Sequence, residues 1–530
     1  MPLATIDIII IVVYFIGVLF HGYFVGRDKG SSDGYFLAGR ALPWYLIGFS
    51  LYASNMSGSS FVGLMGATYD NGIVVFNYEW TAAIVLIFFA VFMLPVFLKS
   101  KISTIPEYLS ERFNKKAHLA YSGFTILAII FIDTAGALYA GGVVITRILP
   151  LELWQAIAIL GVVAGVYTIM GGLTAVVITD TVQAILLIIG STAVFWIGLN
   201  EVGGWNELMS HFAPDDGKMH LIQSTSNDFL PWPGIIGVII LGFYYWTLNQ
   251  FIVQRTLGAK NLDEGRKGAL FAGFLKLPNL FIMIIPGLIG LVLYPELESA
   301  DHVFPTLALK LLPVGIRGLV LTALIAAIMS SLDSALNAGS SLITLDFTRH
   351  FKKDISDDKL VKWGKVVTAI LMIIGIIYAP MIASFETLFE YFQSSLSYLI
   401  PGIVATYLMG IFSKKITATA AFSVIVGSLA IGIPLFIFKE VTGVWTGTIG
   451  LPEVHYTYMG TILFIIAMIA LYTISAVQNK KKKPEDDLVI KEDDLEETIL
   501  SKEDFIWYRD FRVLTGILFV IMTAMIIYFA

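Results

Sequence analysis

Residues 44–67 read WYLIGFSLYASNMSGSSFVGLMGA, and the reading of this stretch decides the fold. Both flanks are apolar enough to lie in hydrocarbon, yet Ser54-Asn55-Met56-Ser57-Gly58-Ser59-Ser60 stands between them. Ser, Asn and Gly are mediocre helix formers, and Ser and Asn side chains compete for backbone hydrogen bonds. The expectation is a membrane span that unwinds at mid-depth. Irregular backbone survives there only where it lines a cavity or is buried in protein. The competing reading is a polar helix face packed on its neighbours.

The rest of the chain sets this stretch in a membrane. Of 530 residues, 57% are hydrophobic and 14% charged, with a mean hydropathy of +0.80. A soluble domain carries about 25% charged residues. The apolar runs are about 20 residues long, enough to cross ~30 Å of hydrocarbon. A soluble enzyme, a disordered chain and a nucleic-acid binder are thereby excluded. With no cysteine, disulfides, thiolate metal sites and cysteine nucleophiles are absent.

Windowed hydropathy gives fourteen spans, at 6–26, 43–68, 78–98, 118–146, 152–170, 174–199, 233–252, 268–294, 315–345, 365–383, 386–411, 417–438, 457–477 and 512–529. The first is followed by Arg27, Asp28 and Lys29, so it reads as a span and not a cleaved signal. Alternate loops hold 28 of the 34 Lys and Arg, the opposite loops hold 5, and Lys276 lies inside a span. The positive-inside rule then puts both termini outside a plasma membrane, the inner membrane if the cell is bacterial. The segment 478–511, with Lys480 to Lys483 and acidic runs, reads as a charged cytoplasmic linker that touches anionic lipid. No phosphate-loop motif occurs, so uphill movement would have to be driven by an ion gradient.

Two further spans read as interrupted. The seventh holds Gly242, Tyr244-Tyr245-Trp246 and Asn249-Gln250 at mid-span, which suggests a pocket wall. The ninth holds Ala326-Ala327-Ile328-Met329-Ser330-Ser331-Leu332-Asp333-Ser334. Sodium is a hard cation that takes oxygen ligands, and two hydroxyls plus freed carbonyls would supply them. The alternative is that each serine bonds its own helix carbonyl.

Charge at membrane depth is costly and usually functional. Lys276 is placed about two turns into its span and needs a partner, for which Glu79 is the candidate. Asp133 is mid-span on the fourth helix, Asp180 and Asp333 lie toward cytoplasmic ends, and Asp346 sits at a helix end as a cap or a solvated group. A carboxylate accepts hydroxyl protons, an ammonium donates, and aromatic rings cover the C–H face of a sugar. These groups suit a neutral polyhydroxylated solute. Nothing supports catalysis: Gly171-Gly172 is a turn, and no H-E-x-x-H occurs among the seven His.

Spans two to six and seven to eleven make two blocks of five, each opened by an interrupted helix. Five is odd, so the second block enters from the opposite side, an inverted repeat with its site near the midplane. The organisation is then 1–42, first helix and cytoplasmic loop; 43–199, first repeat; 200–232, extracellular loop; 233–411, inverted second repeat; 412–477, two accessory helices; 478–511, linker; 512–530, last helix.

Several pieces in order resemble one family: Tyr35-Phe36-Leu37-Ala38-Gly39-Arg40, Leu42-Pro43-Trp44, Tyr78-Glu79-Trp80, Thr104-Ile105-Pro106-Glu107, Gly171 to Val176 with Thr179-Asp180 and Gln183, Gln254-Arg255, Phe274-Leu275-Lys276, Ser330-Ser331 with Leu336-Asn337, and Pro401-Gly402. The chain resembles the sodium/solute symporter family, in its sodium/glucose cotransporter-like branch. The resemblance implies an all-α integral membrane protein of about fourteen helices with a five-plus-five inverted repeat, the leucine-transporter-like fold. It also implies alternating access coupled to sodium as the co-transported ion. Matched residue by residue to bacterial sodium/galactose members, Glu79, Lys276 and Gln393 fall on sugar hydrogen-bonding positions, Tyr245 on the inner-gate tyrosine with Trp246 beside it, and Asn55 and Tyr78 on pocket or gate positions. Sodium positions fall on Ala53 and Met56, through carbonyls, and on Ala327, Ser330 and Ser331. The chain departs at Ser60 and Ser59, where that pattern has Gln and Glu, at Gly242 for Asn, at Ala82 for Ser, and at Asp133 for Asn.

The expected function is sodium-coupled import of a monosaccharide, glucose- or galactose-like, by a transporter that is not an enzyme. The alternatives are another solute (inositol, a polyol or a sialic acid) or, more remotely, a channel or a transporter-like sensor. The expected partners are sodium, a small sugar-like solute and the lipid bilayer, with no nucleic acid; the oligomeric state is left open.

Overall fold

The computed structural model describes residues 4–13, 17, 40–102, 104–170, 173–212, 217–352, 355–385, 387–442, 444–447, 452–479 and 507–530. Much of the first span, Tyr35 to Gly39, Gly171-Gly172 and most of the linker 478–511 lie outside them, as do the side chains of Ser59, Asp180 and Gln183.

The second span breaks where its polar run predicts. Helix Trp44–Asn55 ends at Met56 (φ −77°, ψ 53°), and Ser57 starts helix Gly58–Asn71 by accepting the amide of Ser60 at 3.3 Å. The cap satisfies one of the amides that a helix start leaves orphaned. Gly58 is needed for close approach: a Cβ there would lie 2.0 Å from Cγ1 of Ile328 in the ninth span.

Other breaks follow local chemistry. The seventh span carries a π-helical turn, Tyr244–Leu248, then bends by 49° into Gln250–Leu257, which Asn249 caps through the amide of Phe251 at 3.1 Å. The eighth span bends by 41° between Leu262–Lys276 and Leu280–Leu293. Pro278 stands at that break and withholds a backbone donor. The eleventh bends by 56° between Leu388–Leu399 and Pro401–Phe412. Neither of the last two breaks was expected. Lys276 is therefore the last residue of a four-turn half-helix, not a residue two turns into a continuous one. A cation there faces the negative end of the helix dipole. Another π-helical turn, Ile129–Thr134, carries Asp133 on the fourth span.

The ninth span corrects the sequence reading. Ile316–Ser341 is one α-helix that runs on through a π-helical turn, Leu342–Thr348. Its serines do not interrupt it: Ser331 Oγ donates to the carbonyl of Ala327 at 3.0 Å. Asp346 is neither a cap nor solvated, since it accepts from Ser122 Oγ at 2.6 Å and pairs with His118 Nε2 at 2.9 Å.

Among the described residues, eight helices are long and apolar enough to cross a membrane, or eleven if each bent pair is one span. The three expected spans outside that count are the first, much of which is undescribed, the second, broken at Met56-Ser57, and the fifth, whose apolar stretch Leu153–Gly165 is short. No strand forms among the described residues; one isolated bridge joins Leu42 and Ala259.

Small residues bring the central helices together. A Cβ on Gly268 would lie 2.6 Å from Ile47 Cγ2, and one on Gly48 would lie 2.4 Å from Phe271 Cδ1. Leu262–Lys276 thus lies flat on Trp44–Asn55, which carries Lys276 to the second-span break. On one face the strap 217–232 ties several elements. The Lys218 carbonyl accepts the amide of Ile73 at 2.8 Å, the Leu221 carbonyl accepts Asn77 Nδ2 at 2.7 Å, and the Leu221 amide donates to the Phe529 carbonyl at 2.8 Å.

Candidate functional site

The breaks converge on a cavity of about 150 Å³. Asn55, Ser60, Tyr78, Glu79, Asp133, Tyr245, Trp246, Lys276 and Gln393 all line it, so the nine candidate solute residues share one cavity. They come from six spans, separated by up to hundreds of residues in sequence.

Its charged centre is Glu79 with Lys276. Lys276 Nζ lies 2.5 Å from Glu79 Oε2, and the side chains are 1% and 5% exposed. Lys276 also donates to Asn55 Oδ1 and lies 5.3 Å from the centroid of the Trp246 ring. Glu79 Oε2 also accepts from Asn279 Nδ2, and Asn279 Oδ1 accepts the Tyr52 hydroxyl at 2.7 Å. Such a pair is tolerable in a low-dielectric interior because hydrogen bonds to Asn55 and from Asn279 support it. Glu79 lies just past the 3-10 turn Gly72–Phe76 that leads into helix Asn77–Phe88.

Tyr245 lines the cavity together with Asn55, and its ring meets Trp246 edge to face at 5.3 Å. Ser60 Oγ donates to the Asn55 carbonyl, so it seals the break as well as lining the cavity. Gln393 stands on the first half of the eleventh span with a half-buried side chain. Of the seventh-span amides, Asn249 lines the cavity, while Gln250 turns away and accepts the amide of Ile105 at 2.7 Å.

The side nearest the strap is roofed by aromatics. The Tyr78 hydroxyl lies 2.7 Å from that of Tyr456, the Tyr78 ring meets Phe389 at 4.8 Å and Phe229 at 6.2 Å, and Phe229 stacks on Phe389 at 6.1 Å. The His455 ring lies 4.2 Å from that of Tyr456, and burial pushes its pKa down to about 4, so that ring is uncharged near neutral pH.

Of the five candidate sodium residues, Ser331 lines the cavity. Ala53 and Met56 end the first half of the second span, where the last carbonyls of a helix lack intrahelical donors. Ala327 and Ser330 lie on the ninth span, against which Gly58 is pressed at Ile328. The ninth-span carbonyls are not released by a break; what that helix offers is hydroxyls. A hydroxyl that donates to a carbonyl, as Ser331 does, still has lone pairs for a cation.

The sequence reading missed Asn279 and Tyr52, which hold Glu79, and Tyr456, Phe229 and Phe389 in the roof. Pro278 was the available signal for Asn279: a proline beside an amide, just past a buried lysine, marks a break with a polar partner. Nothing local marks Phe229 or Tyr456, which reach the roof from distant segments.

Residues 35–427 match the model of the sodium:solute symporter family. The chain is 35% identical over 509 residues to a sodium/glucose cotransporter of Vibrio parahaemolyticus, spanning 90% of this chain and 92% of the relative. It is 34% identical over 520 residues to sodium/glucose cotransporter 1 of Mus musculus, spanning 88% and 78%. Among solved structures, a substrate-bound, outward-open Na+-coupled sialic acid symporter superposes with a TM-score of 0.75 at 22% identity, over 91% of this chain and 99% of the other. The nucleobase-cation-symport-1 transporter Mhp1 superposes with a TM-score of 0.52 at 14% identity, over 84% and 96%. The fold is thus the leucine-transporter-like one that the sequence resemblance implied, and the chain belongs to the sodium:solute symporter family.

Proposed function

We propose that this protein is a sodium-coupled symporter that imports a monosaccharide by alternating access. One observation carries the reading: a hydrogen-bonded Glu79–Lys276 pair, faced by the Trp246 ring, opens on a cavity beside a helix break. No protein group among the described residues donates to Glu79 Oε1. That oxygen, Gln393 and the Tyr245 ring offer an acceptor, an amide and a stacking face to a sugar. The 34–35% identity to sodium/glucose cotransporters supports the same solute class.

Sodium would bind between the end of Trp44–Asn55 and the ninth-span serines, with Ala53, Met56, Ala327, Ser330 and Ser331 as its oxygen donors. Ordering the break would raise solute affinity, and the solute would raise sodium affinity equally, a coupling of about 1–3 kcal/mol. With sugar bound, the roof of Tyr78, Phe229, Phe389 and Tyr456 would stay shut while Tyr245 and Trp246 give way. The Lys/Arg bias of the loops supports a plasma-membrane orientation with both termini outside, the strap 217–232 on the outer face, and repeats at 43–199 and 233–411.

The test is uptake into liposomes driven by a sodium gradient, against a panel of labelled monosaccharides, inositol and sialic acid. Sodium-dependent accumulation of a monosaccharide is expected. Accumulation of inositol or sialic acid alone would replace the solute, and solute-independent current would replace the symporter by a channel.

A further inference from the structure

The cavity holds one acidic side chain beyond the Glu79–Lys276 pair. Lys276 is already held by Glu79 and Asn55. Asp133 lines the same cavity from the π-helical turn Ile129–Thr134, and it makes no hydrogen bond or ion pair to any described residue. Tyr244 and Tyr245 line the cavity with it, and neither is a cation. Tyr391 is turned to the Phe131 carbonyl, to which its hydroxyl donates. Two acidic side chains and one ammonium thus border one cavity.

A π-helical turn inserts one extra residue into a helix and re-aims the side chains that follow. Here it presents a carboxylate to the cavity. An uncompensated carboxylate repels an anion strongly where water is scarce. It accepts readily from a hydroxyl, and more strongly from an ammonium.

We propose that Asp133 is the charge filter of the solute cavity: it admits neutral and amine-bearing sugars and rejects sugars that carry a carboxylate. This rests on the sugar-symporter reading above and names its solute class more narrowly. It separates this cavity from one built for a sialic acid, although the fold is shared with a transporter of that solute.

The test uses three sugars of similar size: glucose, glucosamine and glucuronate. Each is titrated against the purified full-length protein in saturating sodium, with thermal stabilisation as the readout. The wild-type protein is expected to bind glucuronate at least 30-fold more weakly than glucose, and glucosamine no more weakly than glucose. In Asp133→Asn the glucuronate-to-glucose ratio should shrink at least tenfold, about 1.4 kcal/mol, whereas Asp133→Glu should keep it. Wild-type binding of glucuronate within threefold of glucose overturns the proposal without reference to any variant. An unchanged ratio in a folded Asp133→Asn also overturns it, because Asp133 would then be neutral and play no part in discrimination. If Asp133→Asn binds neither sugar, the wild-type ratio together with Asp133→Glu decides. If none of the three sugars binds, the sugar reading itself falls, an outcome distinct from parity between glucose and glucuronate.

Discussion

The second and ninth spans carry comparably polar runs, Ser54 to Ser60 and Ser330 to Ser334, and they behave differently. The second breaks at Met56-Ser57, while the ninth stays helical from Ile316 to Ser341. Polarity is therefore not what unwinds a span. The second run holds a capping serine followed by a glycine, and that glycine lets the break press on a neighbour. The ninth run is preceded by Ala326-Ala327 and interleaved with Leu332, all good helix formers. Its Ser331 hydroxyl is satisfied within the helix itself. One segment gives up helix to make a site; the other keeps helix and lends hydroxyls to it.

The most disruptive test removes what anchors the break to the rest of the cavity. Lys276→Ala takes the hydrogen bond from Asn55 and strands Glu79. We expect uptake to fall at least 100-fold, with a stability loss of about 3–5 kcal/mol from the unpaired buried charge. Glu79→Gln combined with Lys276→Met should recover most of that stability, measured by thermal melting, and none of the uptake. Stability regained together with transport would mean the pair is only structural.

Gly58→Val drives side-chain atoms into Ile328 and should push the break off the ninth span. Sodium-driven uptake is expected to drop about 30–100-fold, with about 1–3 kcal/mol of overpacking strain. If sodium activation is unchanged, contact between the two spans is irrelevant to the ion.

Ser331→Ala leaves the ninth helix intact, so its effect should be confined to the ion. The half-saturating sodium concentration is expected to rise about tenfold, or 1.4 kcal/mol, with little change in melting temperature. Unchanged sodium activation in liposomes would remove Ser331 from the ion site. Ser57→Ala should be the mildest: loss of the cap costs about 1 kcal/mol, seen as a lower melting temperature and about a threefold rise in half-saturating sodium. An equal loss from Ser334→Ala would erase the distinction between the two runs.

The contrast also marks how far the sequence could be read. The second-span break was legible because its cause is local: a cap, a glycine and poor helix formers within seven residues. The Glu79–Lys276 pairing was legible because a lone ammonium in hydrocarbon needs a carboxylate and few were on offer. The resemblance supplied Gln393, which no periodicity singles out. Polarity alone predicts the ninth-span break, and a helix that carries its serines without unwinding, with Ser331 bonding back to Ala327, defeats it. The bends at Pro278 and Pro401 passed unnoticed because prolines are tolerated in membrane helices. The roof was illegible in principle: Tyr78, Phe229, Phe389 and Tyr456 meet only once distant segments fold together.

The strap that ties Phe529 to the rim of the cavity gives the outermost helix an unexpected use. Phe511–Phe529 carries exposed positions such as Val520, 66% accessible, on the side facing away from the bundle. A single thiol placed there, in a chain with none of its own, would carry a spin label or fluorophore clear of solute and ion. Because the helix is leashed through Leu221 to Asn77, that label would serve as a lever arm, reporting the mouth's opening and shutting from its periphery.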